Sequence, residues 1–269
     1  LAFDFWERAE MVQLKLDGKL VKERIVNFIR NAVKQAGFEG VVVGVSGGLD
    51  STVVLHLASE ALGPQNVWAI LLPYGTGDEE DLGDASELTD NLGVNSTEID
   101  ISPVVQTLLA SLTNRDRVRK GNFICRIRMV ILYDQAFKHN ALVLGTGNRT
   151  EFLLGYFTKY GDGGVDLEPL GDLYKTQVRQ LAEYLGVPDR IIQKTPTAGL
   201  WPGQTDESEL GFTYEEADRL LCDMLDGGRS DAELLKSGFA RELIERVRQR
   251  IRKTEHKRKL PPIARVTNR

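Results

Sequence analysis

The chain has 269 residues, 42% of them apolar and 27% charged, a balance that supports a packed core and excludes collagen-like, coiled-coil and disordered classes. No apolar run approaches the roughly 20 residues of a membrane span, and the N-terminus lacks the basic, apolar, small-residue order of a signal peptide. The net charge of −5 divides into +8 on residues 241–269 and −13 on the rest, not the footprint of a general nucleic-acid binder; with only two cysteines and no metal-ligand spacing, the expectation is one cytoplasmic domain spanning 1–269.

Apolar residues recur at helical spacing from Asp17 to Gly37, and Gly37 is placed to end that helix. Residues 40–45, Gly-Val-Val-Val-Gly-Val, are too uniformly apolar to alternate and predict a strand covered on both faces of a parallel sheet. A glycine turn, Ser46 to Ser51, leads into helix-like sequence through Leu62. The alternation continues with strands at 67–72, 95–99 and 141–144 and helices at 79–92, 102–112 and 121–138. Residues 155–171 read as a glycine-rich loop or lid, and Asp172 as the cap of a helix from Leu173 to Gly186. Residues 197–211 are loop-like, and helices at 213–225 and 240–252 precede the basic end. This order predicts an α/β fold, an open and mostly parallel sheet with helices on both faces.

Gly44-Val-Ser-Gly-Gly-Leu-Asp-Ser51 carries the most chemistry. Two glycines after a buried strand let the backbone aim several N–H groups at one point, and the next helix presents its positive end there. The result is an anion cradle, with phosphate as the anion. The Ser46 and Ser51 hydroxyls are placed to donate to phosphate oxygens, whereas the Asp50 carboxylate repels phosphate unless a divalent cation stands between them. Magnesium-bound nucleotide resolves the conflict. The pattern is neither GxxxxGKS nor GxGxxG.

The SGGxDS loop resembles that of the ATP pyrophosphatases, whose fold is the adenine nucleotide alpha hydrolase type. The further motifs at 121–129, 145–151, 155–164, 173–178, 203–207 and 255–258 follow in the order seen in the NAD synthetase family, so the chain resembles that family from about Val21 to Pro262. By this resemblance Gly44, Val45, Ser46, Gly47, Gly48, Leu49, Asp50 and Ser51 bind ATP together with Thr146, Lys175 and Thr197. It makes Asp50 and Glu151 the magnesium ligands and Lys175 the charge facing the phosphates. Arg126, Lys159, Asp166, His256 and Lys257 are its contacts to the acceptor dinucleotide.

Residue chemistry limits these assignments. Thr146 and Glu151 follow a buried strand and so fall at the sheet edge where open α/β folds bind ligands. Arg126 and Arg128 lie two apart on a helix and do not share a face; the resemblance favours Arg126. His256 alone reads as a surface residue, and the basic tail either solvates a helix face or closes over the anionic substrate. None of His56, His139 and His256 has a neighbour at metal or triad spacing.

The activity implied is ATP-dependent amidation of nicotinic acid adenine dinucleotide with ammonia, through an acyl-adenylate and with release of AMP and pyrophosphate. A homodimer is implied too. About 40 residues precede the first strand, so the chain is not expected to hydrolyse glutamine itself, and a separate glutaminase is one source of ammonia. The chain starts at Leu1, which is read as a trimmed leader. Two alternatives stay open: another ATP pyrophosphatase that amidates or thiolates a different acceptor, and a non-catalytic ATP sensor.

Overall fold

Four parallel strands, β1 (Gly40–Gly44), β2 (Val67–Leu71), β3 (Asn95–Glu98) and β4 (Ala141–Leu144), form one sheet in the order β3-β2-β1-β4. They belong to a computed structural model that describes residues 14–75, 79–111 and 116–267. The predicted helix end at Leu112 and the tail residues 268–269 lie outside the described residues. Val41 pairs with Val67 on one side and Leu142 on the other, so β1 is central. Among the described residues a bridge from Leu144 to Leu167 extends the β4 edge.

Successive strand residues point to opposite faces, and both faces are covered. Val41 and Val43 join the core under α1 (Gly18–Gln35), α2 (Leu49–Leu62), α3 (Glu79–Leu92) and, from later in the chain, α7 (Lys175–Leu185). Val42, between them, joins the core under α4 (Ser102–Ala110) and α5 (Arg117–His139). This is the expected two-faced α/β sheet. Among the described residues, no helix is long and apolar enough to cross a membrane.

The elements missed by periodicity are short or begin on a cap. The basic stretch before Gly121 is the first turn of α5, because the Asp116 side chain accepts from Arg119 N at 2.9 Å. α6 (Arg149–Leu154), α8 (Asp189–Ile192), α9 (Asp206–Leu210) and α11 (Asp231–Lys236) span one or two turns, too few for a repeat to show. α10 (Tyr214–Leu221) ends in a π-type turn at Cys222–Asp226, and α12 (Arg241–Thr254) carries the basic end. Leu154, Tyr174 and buried residues of α10 to α12 make a third apolar cluster beside the sheet.

One expectation is corrected. Asp172 does not cap α7: Tyr174 is its N-cap, and the Asp172 side chain is almost wholly exposed and paired with Arg149. Neither cysteine forms a disulfide, Cys125 being half-buried and Cys222 buried, and His139 stacks on Trp68 at 4.6 Å between centroids.

Candidate active site

Strands β1, β2 and β3 run outward in one direction, and the chain then returns to place β4 on the other side of β1. The carboxyl ends of β1 and β4 therefore flank a switch in strand order, where the loops of an open sheet diverge and leave a crevice. A cleft of about 490 Å³ opens there. Gly44, Ser46, Gly48 and Asp50 line it from β1, the glycine turn and α2, Thr146 from just after β4, Glu151 from α6, Lys175 from α7, Thr197 from the loop that follows α8 and Asp206 from the start of α9.

The glycine turn is built from within. Gly47 has φ +77, a left-handed conformation, and a Cβ there would overlap the Asp81 carbonyl, so α3 lies directly against the turn. Gly48 is the N-cap of α2 and offers no capping side chain, which leaves the first amides of that helix directed at the cleft. The serines differ. Ser46 is exposed to the cleft and accepts from Gly48 N at 3.3 Å, whereas Ser51 is buried and donates to Gly48 O at 3.1 Å. Ser51 therefore braces the turn.

Asp50 lies in the first turn of α2 and Glu151 in the first turn of α6. Asn148 joins them: its Nδ2 donates to Asp50 Oδ1 at 3.1 Å, and its Oδ1 accepts from Glu151 N at 3.1 Å. Glu151 Oε2 accepts from Asn148 N at 3.2 Å, completing a capping box. Lys175 Nζ bonds Asp50 Oδ2 and stands 3.8 Å from Glu151 Oε1 and 5.4 Å from the Tyr214 ring centroid.

Burial, then the Asp50 carboxylate, push Glu151 well above the usual carboxylate range. Burial works against the charge on Lys175, but Asp50 and Glu151 outweigh it and hold its pKa up. The ammonium is thus the counter-ion of the two acids. Oxygen donors from two carboxylates beside the glycine turn match what magnesium uses when substrate phosphates supply further ligands. Among the described residues no group of three His, Cys, Asp or Glu side chains could hold a metal ion by itself.

This constellation sits in a recognisable chain. The NAD synthase family matches residues 21–261. A relative from Trichlorobacter lovleyi, "NH(3)-dependent NAD(+) synthetase", is 44% identical over 259 residues, 96% of this chain and 95% of its own length. The chain belongs to the NAD synthase family. Its backbone is similar to a solved structure described as NMN synthetase from Francisella tularensis, with a TM-score of 0.83 and 38% identity over 93% of this chain and 99% of that one. It is also similar to an NH3-dependent NAD synthetase from Campylobacter jejuni in complex with the nitrate ion, with a TM-score of 0.80 and 33% identity over 93% and 100%.

The remaining sequence-derived residues of this NAD synthase family member gather away from the acidic cluster, around the 155–164 loop. Arg126 is exposed and donates to Lys159 O at 3.3 Å, while Arg128 lines the cleft and donates to Leu72 O at 3.3 Å. Lys159 Nζ reaches His256 O at 2.7 Å and Lys259 O at 3.2 Å. Lys257 Nζ donates to Gly155 O at 2.8 Å and Phe157 O at 2.6 Å, so the basic tail fastens the loop. Asp166 accepts from Val143 N at 2.8 Å and from Tyr133 OH at 3.0 Å, and His256 Nδ1 stands 3.1 Å from Lys253 O.

Several cleft residues carried no separate signal. Asp206 accepts from Tyr156 OH at 3.1 Å and Tyr214 OH at 2.9 Å; burial raises its pKa against those bonds and Lys175. It stands inside the quoted 203–207 motif, which was the available clue. Lys194 bonds Asp81 at 2.5 Å and Gly47 O at 3.3 Å, tying α3 to the glycine turn, and falls in no quoted motif.

Proposed function

We propose that the chain joins ammonia to the pyridine carboxylate of nicotinic acid adenine dinucleotide at the expense of ATP. The observation that carries this is the meeting of the glycine turn with Asp50, Glu151 and Lys175 at the sheet's switch point, in a member of the NAD synthase family. A carboxylate resists ammonia because it is anionic and lacks a leaving group. Attack of a carboxylate oxygen on the α-phosphorus of ATP expels pyrophosphate and gives an acyl-adenylate. Ammonia then adds to the acyl carbon, loses a proton and expels AMP.

The chain contributes position and charge. The amides after Gly48 and the Ser46 hydroxyl hold the phosphates, Lys175 offsets their charge, and Thr146 and Thr197 flank the nucleotide. Asp50 and Glu151 would hold magnesium, which neutralises charge on the departing pyrophosphate. Arg126, Lys159, Asp166, His256 and Lys257 are assigned to the acceptor, and the fastening of the 155–164 loop by Lys257 supports placing that acceptor beneath it.

Exposed Val130, Tyr133 and Phe137 lie three and four residues apart on α5, and Phe137 is 92% exposed, which supports a homodimer through that helix. The likeness to an NMN synthetase supports a second reading, in which the acceptor is the corresponding mononucleotide.

The test is an end-point assay with ATP, magnesium, ammonium and each acceptor in turn, quantifying amide, AMP and pyrophosphate, then repeated with glutamine in place of ammonium. Equal amounts of NAD, AMP and pyrophosphate with the dinucleotide support the proposal. Preference for the mononucleotide selects the second reading, and absence of ATP cleavage rejects both. Little product with glutamine would leave a separate glutaminase as an ammonia source.

A further inference from the structure

The first residue of α7 is Lys175, and the amides of Lys175 and Thr176 have no partners within that helix. An N-cap side chain normally supplies such a bond, but the N-cap residue Tyr174 carries its oxygen at the far end of a ring, and that side chain makes no capping bond. Both amides are satisfied from other elements. Lys175 N donates to Thr150 Oγ1 at 3.0 Å, and Thr176 N donates to Asp218 Oδ2 at 2.8 Å. Thr150 Oγ1 in turn donates to Asp218 Oδ1 at 2.5 Å.

One carboxylate on α10 thus grips the residue next to Glu151 with one oxygen and the residue next to Lys175 with the other. Asp218 and Thr150 are completely buried, and Asp218 is not among the residues that line the cleft. Burial raises the Asp218 pKa, while bonds from Thr150 and Thr176 oppose the rise. A buried acid held by neutral donors is costly, and an apolar residue of similar size is often as good for stability. What an apolar residue cannot do is fix two helix starts to one point. Tyr214, one turn earlier on the same face of α10, sets its ring against the Lys175 ammonium.

We propose that Asp218 is a positioning residue for the reaction: it joins α6 to α7 so that the Glu151 carboxylate and the Lys175 ammonium meet at the separation the chemistry needs. It acts through Thr150 and Thr176 and touches no substrate. The proposal rests on the roles assigned above to Glu151 and Lys175.

The test compares Asp218→Asn, Thr150→Val, Thr150→Ser and the double variant with Val247→Ala, a truncation in the third cluster that is expected to destabilise the fold while leaving the hydrogen bonds of Asp218, Thr150 and Thr176 in place. Misplacing a catalytic group by about 1 Å costs about 100-fold in rate. Asp218→Asn and Thr150→Val are therefore expected to lower kcat about 100-fold with the acceptor KM within about twofold. Thr150→Ser restores the rate, and the double variant is no slower than either single one because they share one contact. If Asp218→Asn fails to fold, the Thr150→Ser and Thr150→Val pair decides alone.

Wild-type kcat in Thr150→Val and in folded Asp218→Asn, with only the lowered melting temperature that Val247→Ala also shows, overturns the proposal. Calorimetric titration with magnesium and a non-hydrolysable ATP analogue separates it from the assigned activity. Should the wild-type protein form no amide, weakening of analogue binding by about tenfold in Thr150→Val, against none in Val247→Ala, would still support Asp218 as the anchor. Equal affinities would overturn it.

Discussion

Lys175 Nζ bonds Asp50 Oδ2 directly, so the ammonium occupies the same carboxylate that is assigned to magnesium. Glu151 Oε1, 3.8 Å away, completes the acidic pair. Under the proposed assignment, lysine and divalent cation would compete for one charge until phosphates drew the ammonium away. Lys175→Gln should then bind manganese about tenfold more tightly than the wild type in the absence of nucleotide, a change of about 1.4 kcal/mol, while losing amide formation. Manganese titration followed by electron paramagnetic resonance reads this, and an unchanged affinity would show that lysine and metal do not share the site.

Gly47 should tolerate no side chain. Its φ of +77 is strained for an L-residue, and its Cβ would overlap the Asp81 carbonyl. Gly199, at φ +61 with open space around the added carbon, meets only the backbone strain. Gly199→Ala is expected to cost about 1 kcal/mol and Gly47→Ala clearly more, with loss of ATP binding as α3 is pushed off the turn. Urea unfolding of the two variants provides the comparison.

Asp166 ties three elements. Its Oδ2 accepts the Val143 amide of β4 and its Oδ1 the Tyr133 hydroxyl of α5. Truncation leaves both donors without that partner, so Asp166→Ala should lose about 1–3 kcal/mol of stability, visible as a lower urea midpoint in the ligand-free protein. A midpoint equal to that of the wild type would mean that these bonds carry no weight and that the residue serves the acceptor alone.

Glu168 gives the fold a pH dependence. Burial, and then the Glu151 charge, raise its pKa from 4.5 to about 9, although Gly147 N donates to it at 3.2 Å. The carboxyl is neutral when folded and ionised when unfolded across that window, so unfolding releases a proton there. Its contribution to stability is present below the unfolded value and is lost as pH rises through the folded one. Glu168→Gln keeps an acceptor for Gly147 N without titrating. Unfolding measured between about pH 5 and about pH 8 should therefore show a flatter pH profile in the variant than in the wild type. Parallel profiles would remove Glu168 as the source.

The motif order and the glycine turn were legible because each depends on neighbours in sequence. Val41 to Val43 declare a strand covered on both faces by being uniformly apolar, and Ser46 to Ser51 declare a tight turn by their glycines and their place before α2. The span of α7 was legible to within two residues, but the partner of its first amides was not. Thr176 N is met by Asp218, 42 residues away, and no local pattern reports that. For the same reason Asp172, the nearest acid in sequence, was the natural and mistaken choice. The Arg126 and Arg128 pair shows the same limit: spacing separates their faces, but only the tertiary structure shows that Arg128 reaches Leu72 O and lines the cleft while Arg126 reaches Lys159 O of the 155–164 loop.

By itself the sequence determined the parallel α/β sheet, the glycine turn and the family, since hydrophobic period, glycine position and motif order are properties of the chain read along its length. Only the tertiary structure decided that Lys175 stands on Asp50, 125 residues away, that Asp206 enters the cleft between two tyrosines, and that Asp218 joins the two helix starts. Those are contacts between buried polar groups distant in sequence. Burial makes each charge costly unless a partner meets it, and which partner does so is fixed by how the helices pack.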